Sequence, residues 1–371
     1  MRTPFRVIAL MLLLTIIMSC TPSGDRTEYR IGVIASLTGI AGTFGQEMQN
    51  GIELAAEEIN AKGGINGLPV KIIVEDDNTD PVKGVSAFSK LVNVDKVDAL
   101  IGGTWDFNYN PLAPLAKENQ ITLITPQNVK TSGLITNEYT FVMRTDMKKV
   151  VGALEEYITE NNLTRIAVVR FVSPFGEDIT QGLKDILAKT GGKLVLDETY
   201  ERIGGNDFLV SISKVGQARP DAVFIDMVDA DVITFMKRLK ENGVSTQVLS
   251  HGAIADVYAN PELDRSLIEG VVFFDYDKPE SEEFISRYQK KVGAQPGHSA
   301  DGAYDALMVL AEALGKTEKG QVNQYLAKNK INTINGEVTF TDQVRETSRV
   351  FIREVTDEGI KTLSKEYVSL N

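Results

Sequence analysis

YRIGVIASLTGIAGTFGQEMQNGIELAAEEINAKGGINGLPVKIIV, Tyr29 to Val74, decides the fold. Ile31-Gly32-Val33-Ile34-Ala35 reads as a short apolar strand. From Gln46 to Ala61 the apolar residues recur at helical spacing, with Ile52, Ala55, Ala56 and Ile59 on one stripe. Val70-Lys71-Ile72-Ile73-Val74 is the next strand. Between the first strand and the helix lies a loop carrying Gly39, Gly42 and Gly45. Its glycine spacing is not the dinucleotide fingerprint, and the lysine of a phosphate loop is missing. The loop, with Phe44 in it, is either a plain turn or a cleft loop at a helix N-terminus.

The same alternation continues outward. Asp80-Pro81 opens a helix with an N-cap and a proline in its first turn. Ala99-Leu100-Ile101 and Ile121-Thr122-Leu123-Ile124 are strands bracketing a helix around Leu112 to Lys117. The pattern restarts after Arg144-Thr145, with helices over Val150–Glu160, Gly176–Lys189, Asn206–Val215 and Val232–Lys240. Strands at 165–169, 194–196, 222–225, 248–249 and 271–274 are interspersed among them. Three helical segments follow, near Ser281–Lys290, Ala300–Leu314 and Val322–Lys328, and the tail from Glu337 is mostly strand. This predicts two α/β units with parallel sheets covered on both faces. Ligands of such sheets bind beyond the carboxyl ends of the strands, which singles out the residues after Ala35, Ile101, Ile124, Val169, Ile225 and Leu249.

The N-terminus assigns a compartment. Arg2 and Arg6 precede an apolar run from Val7 to Met18, too short to span a bilayer and suited to a secretion signal. Ile17-Met18-Ser19-Cys20 resembles the bacterial lipobox, and Cys20 is the only cysteine of the chain. Residues 1–19 are therefore read as a lipoprotein signal peptide and 20–28 as a lipidated tether. The mature chain, about 350 residues, is long for one domain. The full chain's net charge of −12 makes nucleic acid and anionic headgroups poor partners, so membrane attachment falls to acyl chains on Cys20. With Cys20 acylated, no thiol remains for catalysis or metal. The two histidines, His251 and His298, have no helical metal spacing, and no Gly-x-Ser-x-Gly elbow exists. No enzyme activity, metal or cofactor is expected. Asp76-Asp77-Asn78-Thr79-Asp80 looks like a calcium loop, but Pro81 stands where glycine is needed and Ala87 where the last glutamate belongs.

Gly51-Ile52-Glu53-Leu54-Ala55 and Ile59-Asn60-Ala61-Lys62-Gly63-Gly64-Ile65-Asn66-Gly67 closely resemble the branched-chain amino-acid-binding proteins, the type I periplasmic receptors of ABC transporters. Glu75-Asp76-Asp77, Ile101-Gly102-Gly103, Ile124-Thr125-Pro126, Phe175-Gly176, Asp207-Phe208 and Ala303-Tyr304-Asp305-Ala306 extend the likeness over the mature chain. The resemblance implies two Rossmann-like lobes joined by three crossovers, near Arg144-Thr145, Phe274-Asp275 and Asn335-Gly336. One lobe would hold residues 29–144 and 276–335, the other 145–275 and 336–371. It implies a monomer that carries a small-molecule ligand to ABC permease subunits from the periplasm or cell surface. A sensory lipoprotein signalling to a membrane receptor is the alternative.

The resemblance also marks a departure. Where amino-acid-binding members present a serine to the ligand carboxylate, the segment is Thr104-Trp105-Asp106, with Asp106 at the serine. After Ile124-Thr125-Pro126 stand Gln127 and Asn128, which both donate and accept hydrogen bonds. An aromatic of the family matches Phe175. The second-lobe loop is Asp226-Met227-Val228-Asp229, and the acid that holds the ligand ammonium falls near His251, where no acid stands. From the residues alone, Trp105 either stacks on a ligand or packs between lobes, Asp106 and Asp229 either meet ligand or cap helices, and His251 lines the cleft or the surface. This set favours a cationic or neutral ligand bearing an amine or amide over a simple aliphatic amino acid.

Overall fold

The computed structural model describes residues 26–126, 128–260, 263–276, 281–297, 299–318 and 320–369. Cys20 and Gln127 lie outside them, and the side chain of Asp229 is likewise not described. The first unit runs β1 (Tyr29–Ala35), α1 (Gly42–Ala61), β2 (Val70–Asp76), α2 (Pro81–Asn93), β3 (Ala99–Gly102), α3 (Asp106–Tyr109), α4 (Leu112–Glu118), β4 (Leu123–Thr125) and β5 (Thr140–Val142). The second runs α5 (Met147–Gly152), α6 (Glu155–Glu160), β6 (Arg165–Phe171), α7 (Pro174–Thr190), β7 (Lys193–Tyr200), α8 (Leu209–Ala218), β8 (Ala222–Asp226), α9 (Asp229–Glu241), β9 (Gln247–His251), α10 (Ala253–Ala259) and β10 (Val272–Tyr276). Then follow α11 (Glu282–Val292), α12 (Ala300–Lys316), α13 (Val322–Leu326), β11 (Ile331–Thr333), β12 (Gly336–Val338), β13 (Phe340–Thr341), β14 (Val344–Arg345), β15 (Thr347–Thr356) and β16 (Gly359–Ser369).

Two seven-stranded sheets result, β13-β14-β5-β4-β3-β1-β2 and β16-β15-β10-β9-β8-β6-β7. Their central strands are parallel, and antiparallel pairs close one edge of each. Alternation explains the layers. Ile31, Val33 and Ala35 of β1 pack with Met48, Ile52, Ala303 and Leu307, whereas Ile34 joins Phe88, Leu100 and Leu112 on the opposite face. In the second sheet Ile166 and Val168 pack with Val150 and Leu183, and Ala167 and Val169 with Ile212 and Phe235. Both faces of each sheet are buried, as crossover helices require.

The late helices return to the first sheet. α12 lies on α1 so closely that a Cβ on Gly51 would stand 2.0 Å from the carbonyl oxygen of Ala300. Glu58 of α1 fastens this face by accepting from Tyr304, Arg287 and Lys62. Burial works to raise the Glu58 carboxyl, but these bonds outweigh it and bring it down to about 2.

Three differences from the sequence expectation matter. Residues 336–371 do not all join the second sheet: β13 and β14 extend the first, Val344 pairing with Val142, so the last crossover falls at Glu346 and not near Asn335-Gly336. The turn that folds them back, Asp342-Gln343, has φ of 49° and 65°, the two-residue hairpin geometry without its usual Asn-Gly signature. The helix expected over Val150–Glu160 is two helices, the first capped by Asp146, which accepts from the amides of Lys148 and Lys149. The helix expected from Asn206 starts at Leu209, because Phe208 is left-handed at φ 54° and the Asn206 amide donates to the Arg202 carbonyl.

Asp80 does cap α2, accepting from the Val82 amide at 2.8 Å. Asp76 and Asp77 hold loops: Asp76 accepts from Thr38 Oγ1 at 2.6 Å, and Asp77 from Ser36 Oγ at 2.6 Å. Among the described residues no three His, Cys, Asp or Glu side chains could hold a metal, and no helix is long and apolar enough to cross a membrane.

A candidate solute-binding cleft

The carboxyl ends of the two sheets meet around a cavity of about 130 Å³. The first sheet contributes Thr104, Trp105, Asp106 and Phe107 after β3 and Asn128, Val129 and Thr131 after β4, with Phe44 from the first turn of α1. The second contributes Phe171 and Phe175 around the end of β6, Tyr200 at the end of β7, Asp226 and Met227 at β8, and His251 at β9. Phe44, Thr104, Trp105, Asp106, Asn128, Phe175, Asp226 and His251, all singled out from the sequence, are brought together here.

Their roles divide. Thr104 is buried and its Oγ1 accepts from the Ser36 amide at 3.0 Å, tying the β1 and β3 ends together. Asn128 Nδ2 donates to the Gly103 carbonyl at 2.8 Å and to Thr125 Oγ1 at 2.7 Å, so its donors are spent within the sheet end. These two residues shape the wall.

Trp105 packs between Phe44 and Phe107, each pair at 5.8 Å and 60°, forming a continuous aromatic surface on the first-sheet side. Opposite, Phe175 stands edge-on to His251 at 5.4 Å. Asp106 is the first residue of α3 with Trp105 in the cap position, so it is not the N-cap. Its Oδ1 accepts from the Phe107 amide at 2.7 Å, and its Oδ2 is buried with no hydrogen-bond partner. Burial raises the carboxyl above the ordinary carboxylate range, the Phe107 amide opposes this, and the charge of Asp226 adds to the rise.

Asp226 is 7% exposed, and its Oδ2 is also unpartnered. Its backbone carbonyl accepts from Tyr200 Oη at 2.8 Å. His251 Nε2 lies 3.2 Å from Asp226 Oδ1 without hydrogen-bond geometry, while its Nδ1 accepts a long 3.4 Å contact from the Ala253 amide. Both ring nitrogens of His251 thus face polar groups at the cavity wall, Nδ1 the Ala253 amide and Nε2 the Asp226 carboxylate. The Thr131 hydroxyl, 3% exposed, has no partner either. A buried polar atom left unpaired costs about 1–3 kcal/mol, so unpartnered groups gathered around a cavity mark a place for a polar guest.

Phe107, Thr131 and Tyr200 escaped the sequence reading. Phe107 could have been found from its place two residues after the candidate Asp106 neighbour Trp105. Tyr200 is hidden in the sequence because the apolar run of β7 stops at Leu196, four residues short of the strand's end.

Residues 28–359 match the profile of a family described as periplasmic binding protein. The chain is 26% identical over 329 residues to a Leu/Ile/Val-binding protein homolog 2 of Brucella abortus, covering 84% of this chain and 86% of that one. A solved branched-chain amino acid transporter substrate binding protein from Streptococcus pneumoniae, in complex with isoleucine, superposes with a TM-score of 0.80 at 20% identity, over 92% of this chain and 99% of that chain. A solute binding protein of an ABC transporter from Rhodopseudomonas palustris, in complex with 3,4-dihydroxy benzoic acid, gives 0.80 at 22% identity, over 93% and 98%. The chain therefore belongs to the periplasmic binding protein family of solute receptors.

Proposed function

We propose that this protein is the extracytoplasmic receptor of an ABC importer, capturing one amino-acid-sized organic solute between its lobes and presenting the closed form to permease subunits. The single observation that carries this is the cavity itself, walled by both sheets and lined by unpartnered polar atoms from each. Closure around a guest brings the two walls together, and a permease selects that state. Binding without chemistry is supported by the relatives, which are named as binding proteins. Relatives whose names specify leucine, isoleucine and valine support the size class of the guest.

Native mass spectrometry of freshly purified protein tests this. A retained small molecule, released on unfolding, is the expected result. A bound guest at a hundredfold excess over its Kd adds about 2.7 kcal/mol of stability. Turnover of that guest by the pure protein would contradict the receptor reading. The Ile17-Met18-Ser19-Cys20 segment supports anchoring through lipid on Cys20. Cys20→Ser is expected to move the protein from the membrane to the soluble fraction; membrane retention of that variant would refute the anchor.

A further inference from the structure

Resting on the solute-capture reading, we propose that the guest is an organic ammonium on a body of about one ring, and that this cation latches the lobes by sitting between Asp106 of the first and Asp226 of the second. The two carboxylates reach one cavity from opposite sheets, and each keeps an unpartnered oxygen there. No lysine or arginine is among the described residues lining the cavity. Arg170, the register partner of Asp226 on the neighbouring strand, is committed to Asp197 at 2.8 Å. Two like charges in a poorly solvated space repel, and a cation placed between them turns that repulsion into two attractions.

The chemistry of the guest follows from what is unpaired. Asp106 Oδ2, Asp226 Oδ2 and the Thr131 hydroxyl lack partners, and a primary ammonium has three donors to offer. The aromatic surface of Phe44, Trp105 and Phe107 attracts a cation or packs a ring. A cavity near 130 Å³ is close to the roughly 150 Å³ that holds a benzene. A metal ion is a poor alternative, because no group of three metal ligands exists among the described residues.

Among the described residues lining the cavity, no lysine or arginine offers a ligand carboxylate a seat. The N-terminal turn of α7 would be a natural one. A Cβ on Gly176 in that turn would stand 2.8 Å from Asp226 Oδ2, so the protein's own carboxylate already faces it. An α-amino acid would therefore add a third negative charge to the cavity, which a simple amine avoids.

The test is calorimetry on protein unfolded in guanidinium to remove retained solute and then refolded. The probes are benzylamine, 2-phenylethylamine and butylamine, against benzoate, 3-phenylpropionate and isoleucine. The amines are expected to bind more tightly than their carboxylate counterparts by on the order of tenfold or more, and Asp106→Asn to weaken them by a similar factor. Asp226→Asn is expected to do the same; should it misfold, the amine–carboxylate comparison on the unaltered protein decides alone. Tighter binding of benzoate or isoleucine, or no binding of any amine at millimolar concentration, overturns the inference. Either result leaves solute capture standing if native mass spectrometry finds a retained guest.

Discussion

Thr104 and Asp106 stand two residues apart at one strand end and do different work. The threonine spends its oxygen on the Ser36 amide, whereas the aspartate keeps an oxygen unpaired beside the cavity. An unpaired, half-buried carboxylate destabilises the empty protein. Because its folded-state pKa is raised by burial and by Asp226, the cost sets in as pH rises from the ordinary carboxylate value through the raised one. Asp106→Asn removes the charge while keeping the shape. The empty variant is expected to be more stable than the parent at neutral pH, by on the order of 1 kcal/mol, with the difference vanishing in acid. Thermal unfolding of both proteins at pH 7 and pH 3 checks it; a destabilised variant at pH 7 would mean that Asp106 serves the fold. Residue by residue, the candidate site was legible where it followed from strand ends: Asp226 and His251 end β8 and β9, and Asp106 opens the helix that follows β3. The internal commitment of Asn128 was not, since its partners Gly103 and Thr125 come within reach only once two loops have folded against each other.

At the scale of elements, the contact between α1 and α12 is made by absence of a side chain. Gly51 lets the Ala300 carbonyl approach to where a Cβ would be 2.0 Å away, so Gly51→Ala must push the helices apart or strain the backbone. Its expected cost is about 1–3 kcal/mol, that of forcing extra volume into a packed core. Urea denaturation measures it, and a neutral substitution would show that the two helices slide freely. The amphipathic stripes that build this contact, Ile52 to Ile59, were plain in the sequence, as were most strands. Short elements were not. β5 has three residues, α10 seven and β13 two, too few for periodicity to register. The destination of β13 and β14 was hidden for another reason. A β-rich segment announces that it pairs, and nothing in Phe340–Arg345 says with which of two sheets.

Across the whole molecule, the proposed capture turns on the crossovers. Thr145 and Ser348, on two of the crossing segments, are joined by a bond from the Thr145 amide to Ser348 Oγ at 3.2 Å. Nearby, Asn335 donates to Asp301 at 2.9 Å, and its carbonyl accepts from Arg345 at 2.9 Å. The Thr145–Ser348 bond ties two connecting strands together, whereas the Asn335 bonds lie within the first lobe beside the last crossover; a hinge at these strands is the class of closure that the proposed capture needs. The cavity, by contrast, has one wall on each sheet, so the proposed capture couples guest binding to approach of the lobes. Small-angle scattering of the refolded, guest-free protein, before and after saturation with the tightest guest of the calorimetric panel, tests this most directly. The account predicts a smaller radius of gyration and a shorter maximum dimension on saturation. Saturation with an unchanged scattering curve would contradict it.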